Sequence, residues 1–169
     1  MTIRIALYQP DIPQNTGTIL RLCACLRIEA HIIEPAGFPT SDRAFRRAGM
    51  DYLDAVAIVR HASWQAFEAW RRQQNGGAHA CPPPEAKAGR LVIFTTTATR
   101  SYLDHRFVAG DILLFGRESA GLPQAVHDAA DTRLRIPMQG GLRSLNVAVT
   151  AAMAAGEALR QTGGFSERS

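Results

Sequence analysis

Lysine is almost missing from this chain: of 19 Lys plus Arg, set against 15 Asp plus Glu for a net charge of +4, Lys87 is the only lysine. Arginine carries a planar fork of donors that suits phosphate, so a basic chain of this kind leans toward nucleic acid, although a GC-rich coding sequence gives the same bias. Cysteine is scarce and odd in number, with three in all. Cys23 and Cys25 stand two apart in a segment of helical pattern, which turns them to opposite sides and excludes a chelating pair. All three cysteines are therefore read as reduced thiols. Long apolar runs are lacking, which excludes a membrane-spanning helix, and the start MTIRIALYQP has no basic-then-apolar signal pattern; a cytoplasmic protein is expected. No Gly-x-Gly-x-x-Gly follows the first apolar run and no Gly-Lys-Ser/Thr occurs anywhere, so a dinucleotide-dependent oxidoreductase and a P-loop enzyme are both excluded. His79 and Cys81 fall in a glycine- and proline-rich stretch, while His31, His61, His105 and His127 are scattered without paired spacing, so no metal site is expected.

What is present is the material of one domain. At 169 residues, 46% of them hydrophobic, the chain is long enough to bury a core without staples. Short β-rich runs at Ile3–Tyr8, His31–Glu34, Val56–Val59, Leu91–Thr95, Ile112–Phe115 and Leu134–Ile136 alternate with helical segments. That alternation predicts an α/β fold with a mostly parallel sheet flanked by helices. The first helix is expected from Pro13 to about Leu26, with Ile19, Leu22, Cys23 and Leu26 on its inner face and Arg21 and Cys25 on the other. The last is expected from Ser144 or Leu145 to Thr162, stopped by Gly163 and Gly164, with Leu145, Val149, Met153 and Leu159 on one side and alanines that admit a close neighbour. The domain spans residues 1–162, with a flexible loop at 73–89 and a frayed tail at 163–169.

Three segments rich in glycine, proline or polar residues stand where strands should end: DIPQNTG at 11–17, FGRESAGLP at 115–123 and IPMQGGLRSLN at 136–146. In open α/β sheets the ligand lies beyond the carboxyl ends of the strands. Each segment supplies backbone groups freed by glycine, with polar side chains beside them. Taken singly, each is also an ordinary strand-ending loop.

In this order the three segments resemble the motifs of SPOUT-class RNA methyltransferases, in particular the short tRNA (cytidine(34)/uridine(34)-2′-O)-methyltransferases. HIIEPAGFP at 31–39, RRAGMDY at 46–52 and LVIFTTT at 91–97 extend the likeness over nearly the whole chain apart from residues 73–89. The resemblance implies a C-terminal trefoil knot, which general topology rules disfavour, a homodimer, S-adenosyl-L-methionine as cofactor, and the tRNA anticodon stem-loop as substrate. It places cofactor contacts at Phe94, Thr95, Gly116, Glu118, Ile136, Met138 and Ser144. Phe94 and Ile136 would flank the adenine, and Gly116 would let backbone approach the ligand.

Candidates for catalysis are Arg21, Asn15, Arg143, Ser144 and Asn146, with Glu118 in support. Arginine stays protonated, so Arg21 is given electrostatic positioning and the proton acceptor is left open. Arg143 and Asn146 fit equally as groups at a helix start. Arg43, Arg46 and Arg47 are candidates for RNA phosphate, or for a solvated helix face. The chain departs from the commonest family pattern at Val149, where a second asparagine is usual, at Gly156, where a tyrosine is frequent, and at Thr97 and Ala98, where lysine and glycine are common. Alternatives kept open are methylation of another tRNA or rRNA nucleotide and a non-catalytic RNA-binding module.

Overall fold

The computed structural model describes residues 3–47, 52–75 and 89–165, so most of the expected 73–89 loop and the tail beyond Phe165 lie outside the described residues. All six expected strands are present: β1 (Arg4–Tyr8), β2 (Glu29–Ile33), β3 (Ile58–His61), β4 (Leu91–Phe94), β5 (Ile112–Phe115) and β6 (Thr132–Leu134). They form one sheet in the order β3-β2-β1-β5-β4-β6, and every pairing is parallel. β2 and β6 begin two residues before the expected runs, and β3 begins two after. Their polar ends, such as Glu29 and Thr132, were trimmed by reading apolar residues alone.

Alternation along the strands divides the core. Ile3, Ile5, Leu7, Val92, Phe94, Leu113 and Phe115 face one side of the sheet, where α1 (Pro13–Leu26) and α5 (Val147–Thr162) lie. Ala6, Tyr8, Leu91, Ile93, Ile112 and Leu114 face the other, against Phe67 of α3 (Trp64–Asn75) and Val126 of α4 (Gln124–Ala129). The short α2 (Asp42–Arg47) adds Phe45 to the first side.

α1 starts where expected because Pro13 occupies its first turn, where no N–H is needed. Ile19, Leu20 and Cys23 are buried, Leu22 and Leu26 are half-buried, and Arg21 and Cys25 are exposed. Burial pushes the Cys23 thiol up to about 12. α5 starts at Val147, two to three residues later than expected, because Asn146 caps it: its Oδ1 accepts from Ala148 N at 2.8 Å and Val149 N at 3.4 Å. Gly163, at φ 66°, ends it in the left-handed conformation.

The expected face of α5 is corrected. Leu159 is fully buried, whereas Leu145, Val149 and Met153 are exposed. Six residues separate Met153 from Leu159, which at 100° per residue carries Leu159 well off a face built on steps of four. The inward stripe is Ala148, Ala151, Ala154, Ala155 and Ala158, and their small side chains bring α5 against α1 and β5 within the same chain.

Candidate active site

Because every strand runs the same way, the loops leaving β1, β4, β5 and β6 gather at one edge of the sheet. They enclose a cleft of about 690 Å³, a size suited to a cofactor. Phe94 and Thr95 enter it from the end of β4, Gly116 and Glu118 from the end of β5, and Ile136 and Met138 from the chain after β6. Arg143, Ser144 and Asn146 close the opposite wall, and Asn15 reaches in from the first turn of α1. The cofactor candidates and four of the five catalytic candidates therefore meet in one place. Ser144 sits in irregular chain before α5, not in the helix.

A line of hydrogen bonds ties the three segments together. Glu118 Oε2 accepts from Asp11 N at 3.2 Å, and its Oε1 accepts from Asn15 Nδ2 at 3.2 Å. Asn15 Oδ1 accepts from Asn146 Nδ2 at 2.9 Å. Asn146 then spends its own oxygen on the start of α5. Asp11 returns the contact, since its Oδ1 accepts from Glu118 N at 3.2 Å and its Oδ2 accepts from the Ser119 hydroxyl. The Glu118 side chain first, and then the Ser119 hydroxyl, hold the Asp11 carboxyl near 2, while burial, and then the neighbouring Asp11, push Glu118 upward.

Gly116 lines the cleft and also has a role in its own loop. A Cβ there would come within 2.6 Å of the Gly121 carbonyl carbon and 2.9 Å of Leu122 Cγ. The loop folds back on itself, with Arg117 N donating to Gly121 O at 3.0 Å and Gly121 N to Arg117 O at 2.8 Å. Gly116 thus permits a tight hairpin-like turn, and Gly121, at φ +65°, completes it. The turn is what presents Glu118. Below it, the rings of Phe94 and Phe115 stack with centroids 5.1 Å apart and make an apolar floor.

Arg21 is not among the cleft-lining residues of its own chain. It lies on the exposed face of α1, with its guanidinium 5.9 Å from the centroid of the Tyr52 ring. Tyr52 in turn donates its hydroxyl to Gly17 O. Arg43 is exposed on α2, away from the cleft, and the side chains of Arg46 and Arg47 lie outside the described residues. A Cβ added at Gly156 would meet no atom within 4 Å.

Asp11 and Arg135 were missed as individual site residues. Asp11 opens the first segment and its partners are more than a hundred residues away, so only a resemblance extended to that residue would have marked it. Arg135 sits one residue before the third segment, hidden in what reads as the end of a strand.

A parallel α/β sheet with a cleft at its carboxyl edge defines a protein that binds a small cofactor-like ligand at that edge. The chain belongs to the SpoU rRNA Methylase family, whose match covers residues 2–156. It is 58% identical to a tRNA (cytidine(34)-2′-O)-methyltransferase of Beijerinckia indica, over 96% of this chain and 94% of that protein. Among solved structures it resembles one described under the words "Structural insights into the 2-OH methylation of C/U34 on tRNA", with TM-score 0.77, 40% identity, and coverage of 95% of this chain and 90% of that one. It also resembles the SpoU methyltransferase AviRb from Streptomyces viridochromogenes in complex with the cofactor AdoMet, with TM-score 0.79, 25% identity, and coverage of 95% and 60%.

Proposed function

We propose that this protein methylates the ribose 2′-hydroxyl of the wobble nucleotide, cytidine or uridine at position 34, in tRNA, using S-adenosyl-L-methionine and working as a cytoplasmic homodimer. The observation that carries the reading is the convergence of three distant segments on one cleft, joined by Asp11, Glu118, Asn15 and Asn146. High identity over almost the full length to a position-34 methyltransferase supports the choice of nucleotide.

The residues present fit the cofactor. Phe94, Ile136 and Met138 offer an apolar surface for an adenine, and the chain from Ile136 to Leu145, outside helix and strand, has peptide groups free to meet polar edges. When bound, S-adenosylmethionine supplies an electrophilic methyl group on a cationic sulfur. The chain's task is then to align the acceptor ribose with that methyl group and to keep water from the line of attack. Asn15 and Asn146 lock one another and would set the acceptor side of the cleft, Ser144 would hydrogen-bond to the cofactor, and Arg143 would give the RNA side positive charge. Arg21, outside its own cleft, steadies RNA phosphate electrostatically. Arg43, Arg46 and Arg47 are assigned to the anticodon stem on the same ground of charge.

Leu145, Val149 and Met153, exposed on or just before α5, with Ile12 and Leu142 near the cleft, form an apolar surface suited to a second copy of the chain. The trefoil knot belongs to the same reading. Arg135 N donates to Arg100 O and Tyr102 N to Arg135 O, so the chain after β6 runs against the loop after β4, as threading there would require.

Calorimetry with S-adenosylmethionine, followed by incubation with methyl-labelled cofactor and unmodified tRNA, tests the reading. Saturable binding and label in 2′-O-methylcytidine or 2′-O-methyluridine are expected. Binding of RNA with no cofactor affinity would instead mark a non-catalytic RNA-binding module.

A further inference from the structure

The charged residues lining the cleft are Arg117, Arg135, Arg143 and Glu118, and they differ in how they are engaged. Glu118 is fixed by Asp11 and Asn15, and Arg117 Nε lies 3.8 Å from Asp11 Oδ2. Arg135 and Arg143 have no carboxylate partner among the described residues, and both side chains are exposed. Arg4, Arg60, Arg71, Arg90, Arg133 and Arg160 each meet an acidic side chain, and arginines that lack one elsewhere, such as Arg21 and Arg43, do not line the cleft, so Arg135 and Arg143 are set apart by lacking a partner at the cleft itself. Two uncompensated arginines at the mouth of a cleft whose single acid is already engaged leave a local positive field facing solvent.

The two arginines also bracket the third segment. Arg135 follows β6 and its backbone is pinned, its N–H to Arg100 O at 2.9 Å and its carbonyl by Tyr102 N at 3.0 Å. Its side chain therefore projects from a fixed point at one end of the segment, with Arg143 near the other. A pinned backbone with a free guanidinium is what a phosphate contact needs, because less freedom is lost when the contact forms.

Resting on the function proposed above, we infer that Arg135 and Arg143 are a two-pronged phosphate clamp that holds the RNA backbone on either side of the ribose being methylated. Their exposure at the rim, outside the apolar floor, sets them toward the polyanion and not toward the cofactor. They contact backbone and carry no base preference, so the clamp contributes equally for cytidine and uridine.

The test compares Arg135→Gln, Arg143→Gln and the double variant with native protein, measuring the Kd for tRNA across a salt series and the Kd for S-adenosylmethionine. Arg133→Gln is the control, since Arg133 is exposed on β6, two residues before Arg135, lies near Asp128 and is outside the cleft. Each clamp substitution is expected to weaken tRNA binding severalfold and to flatten the slope of log K against log salt by about 0.7, with the double variant losing about twice that. Cofactor affinity is expected to stay within twofold, and the control slope to match native. Unchanged slopes in both single variants would overturn the clamp, and so would a loss confined to cofactor affinity, which would reassign the arginines to the cofactor. If native protein methylates tRNA while the slopes do not move, only the clamp fails; if native protein transfers no methyl group, the underlying reading fails.

Discussion

At the scale of single residues, Asn146 does two jobs with two atoms, and substitution separates them. Its Oδ1 caps α5 and its Nδ2 holds Asn15. Asn146→Ala loses both, and is expected to cost about 1 kcal/mol of stability along with most of the methyl transfer. Asn146→Asp keeps an oxygen for the cap but not the donor to Asn15, so its urea midpoint should stay near native while kcat falls at least tenfold. Parallel loss of midpoint and kcat in the aspartate variant would mean that the cap alone matters. Gly116→Ala is expected to destabilise by about 1–3 kcal/mol, because its Cβ would run into the Gly121 backbone, which cannot swing aside as a side chain can. Thermal unfolding checks that, and a native-like Tm would contradict the tight turn. Much of this residue-level detail was legible once the three segments were set side by side: Asn15, Glu118, Ser144 and Asn146 all reach the cleft. Asp11 and Arg135 were not legible, because their roles depend on partners far along the chain or on the lack of one nearby.

At the scale of elements, α5 shows where pattern reading stops. Its limits were nearly right because caps are local chemistry, and Gly163 marks the end as plainly in sequence as in structure. Its faces were misjudged because alanine reads as neutral: a ridge of five alanines proved to be the buried side, and the larger Val149 and Met153 were left outside. That exposed side gives a prediction. Val149→Arg with Met153→Arg should convert a dimer to a monomer in analytical ultracentrifugation with the fold intact by circular dichroism; an unchanged sedimentation coefficient would place the subunit contact elsewhere. A second prediction concerns β2, β3 and α3. His31 Nδ1 meets His61 Nε2 at 2.9 Å, under Phe67 and Trp70, and His31 is fully buried. Burial lowers both rings, His31 to about 4, and lowers His105 also to about 4. The unfolded chain takes up these protons near pH 6.5 and the folded chain does not, so the stability is complete above about pH 6.5 and is lost as pH falls toward about 4. The unfolding free energy from urea titration should therefore be lower at about pH 5 than at about pH 7.5, by on the order of 2 kcal/mol for each of His31 and His105, with His61 adding in the same direction. Equal free energies would show that the rings titrate normally.

At the scale of the whole molecule, the parallel sheet is what makes a site from scattered segments. With β5 between β1 and β4, the loops after β1, β4, β5 and β6 all open on one edge, though they are far apart in the chain. The six strands could be foreseen because each is a short apolar run bounded by turn residues. Their order could not, since placing β5 beside β1 depends on contacts between residues more than a hundred positions apart. The choice of RNA and of nucleotide lies further still from sequence physics, because one fold and one cofactor cleft serve many substrates. The most direct test of the central claim is therefore to map the methyl group: tRNA lacking the modification is incubated with protein and methyl-labelled S-adenosylmethionine, then digested and read by mass spectrometry. The account predicts one 2′-O-methyl group, on cytidine or uridine at position 34. A methyl group at any other nucleotide, with position 34 unmodified, would contradict it.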